Sequence, residues 1–322
     1  MKAPGFATLL AQLQLLNQPQ RQQLLDALHP AAGLDRVVTL IDQIRSGARC
    51  CPDCGGVRCH RHGQANDLQR FRCCQCGRTF NDLTGTPLAR LRHKGKWLEY
   101  LTALLDSRAV RSAAKRVGVH RNTAFRWRHR FLDRVKHDRP ERLAGIVEAD
   151  EMFLLKSQKG SRKLDRKPRK RGGRASLRGI SRHLDCILVA RDRSGQTIDA
   201  VVGRGALKAA QLTQHLLPKL DPQALLVTDA NAAYPAFARA HGIAHEAVNL
   251  SSGERVRASA AGAIHVQNVN AYHRRFKQWL DRFHGVASRY LPNYLGWQWA
   301  LDGGRVTSVE QLLRIAFGVI NS

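Results

Sequence analysis

The chain has 322 residues, 43% hydrophobic and 24% charged, an ordinary globular balance with room for two or three domains. Its 53 Lys and Arg against 25 Asp and Glu leave a net charge of +28, which calls for an anionic partner, either nucleic acid or an anionic membrane surface. The longest apolar runs, such as CILVA at 186–190, fall far short of the roughly 18 residues of a spanning helix, so DNA or RNA is the expected partner.

Residues 1–46 read as helical. Leucine-rich stretches at 9–16, 24–28 and 34–44 are separated by NQPQ and HPAAG, and Asn17 before Pro19 has the chemistry of a helix start. The leucines near the N-terminus are broken by glutamines instead of forming a continuous signal-peptide core, so a cytoplasmic protein with reduced cysteines is expected. In that compartment clustered cysteines point to metal.

Residues 47–84 carry such a cluster. CPDC and CCQC give Cys51-x2-Cys54-x18-Cys73-x2-Cys76, a spacing that lets two tight turns each offer two thiolates to one tetrahedral Zn2+. Apolar residues are sparse here, so one structural zinc is the expected staple of a zinc ribbon. Gly55 and Gly77 follow the second cysteine of each pair, where the turn favours positive φ. Cys50, Cys59, Cys74, His60 and His62 are the neighbouring groups that compete as ligands.

Residues 88–136 return to helix. In VRSAAKRVGVHRNTAFRWRHRF, small residues, a Gly118 turn and a second basic helix read as a helix-turn-helix. Val119, Ala124, Trp127 and Phe131 supply its inner face. Arg121, Asn122, Thr123, Arg126, Arg128 and Arg130 remain for base edges and phosphates.

From about Gly145 the pattern becomes strand-like. GIVEADEMFLL, HLDCILVARD and TIDAVVG read as three strands, followed by alternating helix and strand, hence a mixed α/β sheet over 143–303. Between the first two strands, the loop 156–182 holds twelve Lys or Arg and one Asp. Lys167, Arg169, Lys170 and Arg171 at its centre are expected to track a nucleic-acid backbone. The tryptophans Trp297 and Trp299 are expected to close the core, and residues 304–322 read as a terminal amphipathic helix.

Two acids stand out. Asp150 in IVEADEM is placed near the end of an apolar strand, and Asp229 in LLVTDANAAY just past another. Buried acids at such places need a metal or a hydrogen-bond donor, and a pair in one sheet can share hard divalent cations. Glu148 shares the strand face of Asp150, whereas Glu151 points to the other.

The ordered set of a four-cysteine ribbon, a helix-turn-helix, VEADE, VTDANAAY and HVQNVNAYHRRFKQWL resembles bacterial insertion-sequence transposases of the DDE class. The resemblance is to the group with an N-terminal zinc ribbon and a ribonuclease-H-like catalytic domain, and it spans roughly 50–300. It implies that Asp150 and Asp229 are the first two acids. The family's third ligand stands in a His-x-Asn-x-x-Glu motif on a following helix. Here His265 aligns, but Gln267 stands at the Asn and Asn270 at the Glu. A branch with asparagine at that point and a lysine seven residues later is most similar, and Lys277 fits it; Glu254 is an alternative acid.

The resemblance thus implies a catalytic set of Asp150, Asp229, Asn270 and Lys277. The first three would hold two Mg2+ or Mn2+ ions, and Lys277 would meet DNA phosphate, with His273, between Asn270 and Lys277, doing the same or simply packing. It further implies nicking of element ends and joining of their 3′-hydroxyls to target DNA by two-metal phosphoryl transfer, by a homodimer or higher oligomer associated with the bacterial nucleoid. An inactive DNA-binding derivative or a zinc-ribbon transcriptional regulator is the alternative.

Overall fold

Asn17 starts a helix through reciprocal bonds. Its side chain accepts from the Gln20 N–H at 3.0 Å, and the Gln20 side chain accepts from the Asn17 N–H at 3.0 Å, which closes a capping box. In this computed structural model, which describes residues 3–318 except 48, 171, 174, 250–252, 254–255 and 260–261, α1 (Ala3–Gln14) precedes that cap and α2 (Gln18–Arg45) follows it. The helix runs unbroken through the HPAAG stretch that the sequence suggested as a separator. Pro30 removes a single N–H donor, and the long flanking segments keep the helix continuous around it. Two compact units make up the chain: Met1–Phe131 with Thr307–Ser322, and Leu132–Val306.

In the first unit, β1 (Cys59–Ala65), β2 (Leu68–Cys73) and β3 (Thr79–Asn81) form an antiparallel sheet in that order. Its core is small: Cys51, Phe71, Cys73 and Phe80. Three helices follow, α3 (Trp97–Leu105), α4 (Val110–Val117) and α5 (Arg121–Phe131). Gly118 ends α4 at φ +62°, a left-handed conformation that glycine adopts without strain, and turns the chain into α5. The aromatic rings of Trp97 and Phe131 meet edge-on at 5.5 Å, those of Tyr100 and Trp127 at 5.2 Å. The terminal helix, described as α10 (Val309–Ala316), starts at a Ser308 capping box and buries Leu312, Leu313 and Ile315 in this same unit.

The second unit is built on a five-stranded mixed sheet. Its strands are β4 (Ile146–Leu155), β5 (Leu184–Asp192), β6 (Thr197–Arg204), β7 (Leu225–Thr228) and β8 (Ala244–Ala247). Their order is β6-β5-β4-β7-β8: an antiparallel meander of the first three, with β7 and β8 added parallel to β4. Period-2 alternation sorts β4 between two faces. Val147 and Ala149 join a core with Leu212, Tyr234 and Phe237 from α6 (Ala209–His215) and α7 (Ala233–His241). The opposite face is covered by α8 (Gln267–Asp281) and α9 (Leu291–Asp302). A short hairpin of β9 (Arg257–Ser259) and β10 (Gly262–Ile264), not anticipated from the sequence, leads into α8.

α8 buries Val269, Tyr272, His273, Phe276 and Trp279. Trp279 meets Trp297 edge-on at 5.0 Å. Both predicted core tryptophans are buried, and Trp299 donates its indole N–H to the Thr197 carbonyl at 2.7 Å.

Candidate active site

The register of β4 creates the site. β7 pairs with β4 only as far as Ala149 opposite Thr228, while β4 continues beside β5 to Leu155. Asp150 is therefore mid-strand, not near the strand's end as expected. It is the first β4 residue to outrun β7. Asp229 follows directly on the last β7 residue, Thr228. The two acids meet because one strand stops where the other goes on.

Glu151 joins them. One carboxylate oxygen each from Asp150, Glu151 and Asp229 lie within 4.8 Å of one another. The alternation of faces holds, for Asp150 points toward α8 and Glu151 toward α7, where its carboxylate accepts from Asn231 Nδ2 and from the Tyr234 hydroxyl at 3.0 Å. Beyond the end of β7 no neighbouring strand separates the two faces, so Glu151 reaches the cluster from the far side. Sequence reasoning set Glu151 aside on its face alone. The missed signal was DANAAY, whose Asn231 and Tyr234 hold that carboxylate in place.

The electrostatics are those of crowded anions. Burial, then the charges of Asp229 and Glu151, push the Asp150 carboxyl up to about 7, against the pull of the Glu151 N–H and of Lys277. Burial also raises Glu151, with the Tyr234 hydroxyl as the main opposing donor. Three oxygen donors whose repulsion a cation would relieve fit a hard divalent ion such as Mg2+ or Mn2+.

Glu148 has a different task. It is fully buried and receives the first turn of α8: the Asn268 N–H at 2.8 Å, the Val269 N–H at 3.1 Å and Asn268 Nδ2 at 2.8 Å. A carboxylate at a helix N-terminus is favoured by the aligned peptide dipoles. Arg193 at 2.7 Å and His265 Nδ1 at 3.3 Å complete its partners. Glu148 thus docks α8 two residues along β4 from Asp150.

That docking sets the stripe of α8. Asn270 is exposed one turn before His273, and Lys277 is exposed one turn after it, near enough for its charge to lower the Asp150 carboxyl. His273 takes the packed place, the alternative to a phosphate contact. It is 6% exposed, and its Nδ1 stands 3.6 Å from Asp150 Oδ2. Burial, aided by Lys277, lowers the imidazole to about 3, so it is neutral at ordinary pH. Glu254 lies outside the described residues.

In the first unit, the sulfurs of Cys51, Cys54, Cys73 and Cys76 all lie within 4.8 Å of one another, with Cys51–Cys76 and Cys54–Cys73 both at 3.6 Å. Four thiolates roughly 2.3 Å from one Zn2+ would stand about 3.8 Å apart, so the donor set fits a closed tetrahedral ion. Backbone N–H groups of Cys76 and Gln75 lower the Cys73 thiol to about 6, toward the thiolate a metal needs. Gly55 and Gly77 both sit at φ +72°. Cys59 turns to the Gly56 carbonyl at 3.5 Å and Cys74 to His60 Nδ1 at 3.7 Å, both outside the four-sulfur group.

Not every expected nucleic-acid contact is presented. Arg121, Asn122 and Arg126 are exposed on α5, and Thr123 is half-buried. Arg128 is fully buried and donates to the Arg108 carbonyl. It lies one turn beyond Ala124, on the inner face, because that face is wider than the apolar residues alone suggest. Arg130 donates to the carbonyls of Pro87 and, at 2.9 Å, Ala89, so it tethers a loop. In the basic loop Lys167 and Lys170 are exposed. Arg169 is half-buried and donates to the Lys156 carbonyl at 2.7 Å. Arg171 lies outside the described residues. Among the described residues no helix is long and apolar enough to cross a membrane.

Residues 142–298, which hold all three clustered acids and α8, match the ISXO2-like transposase domain. This match, together with a transposable-element relative, supports a DNA transposase. The chain is similar to an uncharacterized protein in transposable element ISH50 of Halobacterium salinarum, 29% identical over 269 residues that cover 81% of this chain and 87% of that one. Two solved structures also align at 14% identity. The pre-cleavage Mos1 transpososome covers 64% of this chain and 78% of its own, with a TM-score of 0.22. The Mos1 transposase paired-end complex with the left transposon end covers 68% and 74%, with a TM-score of 0.28. Agreement that low bears on neither fold nor function here.

Proposed function

We propose that this transposase binds the ends of its own mobile element, nicks them and joins the freed 3′-hydroxyl ends to target DNA. In this reading residues 143–303 are a ribonuclease-H-like DDE domain, 47–84 a zinc ribbon and 88–136 a helix-turn-helix. Two Mg2+ or Mn2+ ions, held by Asp150, Asp229 and Asn270, would supply activation of the attacking hydroxyl and charge stabilisation of the leaving oxygen. The protein's own groups position and neutralise. Asp150 and Asp229 fix the reacting phosphate's place at the end of β7, Tyr234 and Asn231 hold Glu151 beside them, and Lys277 presents a cation to the phosphate. Glu148 keeps α8, and with it Asn270 and Lys277, in register with β4.

Cys51, Cys54, Cys73 and Cys76 would hold one structural Zn2+ that shapes the ribbon. Arg121, Asn122, Thr123 and Arg126 would read the element end, while Lys167 and Lys170 grip backbone phosphates. Synapsis of two ends makes a dimer or higher oligomer the working state.

The observation that carries this reading is the convergence of Asp150, Asp229 and Glu151 at the point where β4 outruns β7, inside a matched transposase domain. The test is a strand-transfer assay with element-end DNA. Asp150→Ala and Asp229→Ala should bind the ends as wild type does and transfer none. Asn270→Ala and Lys277→Ala should bind and transfer more slowly. Full transfer by Asp150→Ala would end the assignment.

A further inference from the structure

Asn270, where the resemblance implies the third ligand, carries a neutral amide and is exposed, so a stronger donor on the α8 side of the carboxylate site would have to come from another residue. One turn along, His273 faces Asp150 from that same side. We propose that His273 is itself a metal ligand, its Nδ1 sharing with Asp150 Oδ2 the divalent ion on the α8 side of the site. This rests on the two-ion reading above and deepens it.

Three observations carry the assignment. The first is distance. Nδ1 and Oδ2 are 3.6 Å apart, too long for a hydrogen bond. Two neighbouring ligands at roughly 2.1 Å from one ion stand about 3.0–3.4 Å apart, so a shift of a few tenths of an ångström brings both into contact with it. The second is the division of Asp150's oxygens. Oδ1 accepts the Glu151 N–H at 2.8 Å, which leaves Oδ2 turned to the histidine. The third is the ring itself. It is 6% exposed, and its Nε2 is buried with no hydrogen-bond partner among the described residues. An imidazole that served only to fill space would set two polar atoms in a pocket where an apolar ring costs less.

With Nδ1 on a metal the ring proton sits on Nε2, which meets no acceptor among the described residues, so the bond to the ion has to outweigh that buried donor. His273 lies outside the three-carboxylate group, beside Asp150 alone. This suits a bridging aspartate with one ion toward Asp229 and Glu151 and another toward α8. A nitrogen donor also shifts preference from Mg2+, which favours oxygen, toward Mn2+.

The experiment uses the full chain, zinc-loaded and free of DNA, with Mn2+ as the probe. Pulsed electron paramagnetic resonance should show an imidazole nitrogen bonded to Mn2+ in wild type. In His273→Leu that nitrogen signal should vanish, and Mn2+ affinity should fall roughly tenfold while Mg2+ affinity falls less. Should His273→Leu fail to fold, His273→Gln carries the same comparison, and the wild-type spectrum needs no variant. Bound Mn2+ without a nitrogen signal in wild type, or a signal that survives in the variants, overturns the His273 assignment and leaves the carboxylate site standing. Mn2+ binding unchanged in both Asp150→Ala and Asp229→Ala instead sinks the two-ion reading on which it rests.

Discussion

Asp150 concentrates the electrostatic strain of the site, and the sign of its effect on stability follows from its shifted carboxyl. In the unfolded chain it titrates near its ordinary value of 3.8; folded, it titrates at about 7. Between those pH values the folded state holds a proton that the unfolded state has lost, so stability falls as pH rises from about 4 to about 7 and stays reduced above. A shift of roughly three units corresponds to at most ~4 kcal/mol, and partial exposure of the side chain brings it nearer ~2. In zinc-loaded protein without Mg2+, Asp150→Asn should therefore melt higher than wild type at pH 8, with the gap closing toward pH 4.5. Added Mg2+ should stabilise wild type and leave the variant unmoved. A variant that melts lower at pH 8 contradicts the crowded-anion account. Tyr234 works in the opposite sense. Its hydroxyl, buried with the ring, donates to Glu151, so Tyr234→Phe leaves a carboxylate under-satisfied and should cost about 1–2 kcal/mol at pH 8. Chemical denaturation at pH 8 and pH 5 measures both the loss and its shrinkage in acid, where Glu151 is more readily protonated.

At the scale of elements, two devices set the architecture. α8 is held by the buried Glu148, which accepts the N–H groups of Asn268 and Val269 in its first turn and meets Arg193 as well. Glu148→Ala strands the arginine and the helix end at once, and should destabilise the second unit by about 3–5 kcal/mol. Glu148→Gln keeps an acceptor and should cost less, a difference that paired thermal melts resolve. The β1–β3 sheet has a core of only Phe71, Phe80 and two cysteines, too small to stand alone, so in the proposed reading a metal on the four sulfurs would hold it. Cys73→Ser should unfold the β1–β3 sheet and abolish end recognition while Mn2+ binding in the second unit persists; loss of both together would show that the units do not fold separately. What was legible in the sequence divides along the same line. The Cys-x2-Cys pairs, Gly118 and Asn17 declare themselves because each acts over a few residues of chain. Asp229 was legible as an acid closing an apolar strand, and Asp150 as an acid on one, although it stands mid-strand and not near the end. Glu151 was not, because its role depends on β4 outrunning β7, a difference of strand length across a parallel pair that no local pattern records. Arg128 misled for a related reason: its place on the inner face follows from the width of the helix contact, and its charge gave no hint of burial.

For the molecule as a whole, the net charge of +28 predicts how it holds DNA. Binding that neutralises phosphates releases counterions, so affinity should fall steeply with salt, by a log–log slope of roughly −0.9 for each phosphate contacted. The structure separates the residues that can contribute. Lys167 and Lys170 are exposed in the loop between β4 and β5, whereas Arg169 there is tied to the Lys156 carbonyl, and Arg128 and Arg130 are spent inside the first unit. The double variant Lys167→Ala/Lys170→Ala should reduce the salt slope by about two and weaken element-end and unrelated DNA equally. Arg126→Ala on α5 should instead erode the preference for element ends, since a side chain at a base edge carries sequence information that a phosphate contact lacks. Titrations of both DNAs across a series of salt concentrations separate the two effects. An unchanged slope in the lysine double variant, or a change in its end preference, would remove the loop from the backbone grip and return that task to the first unit.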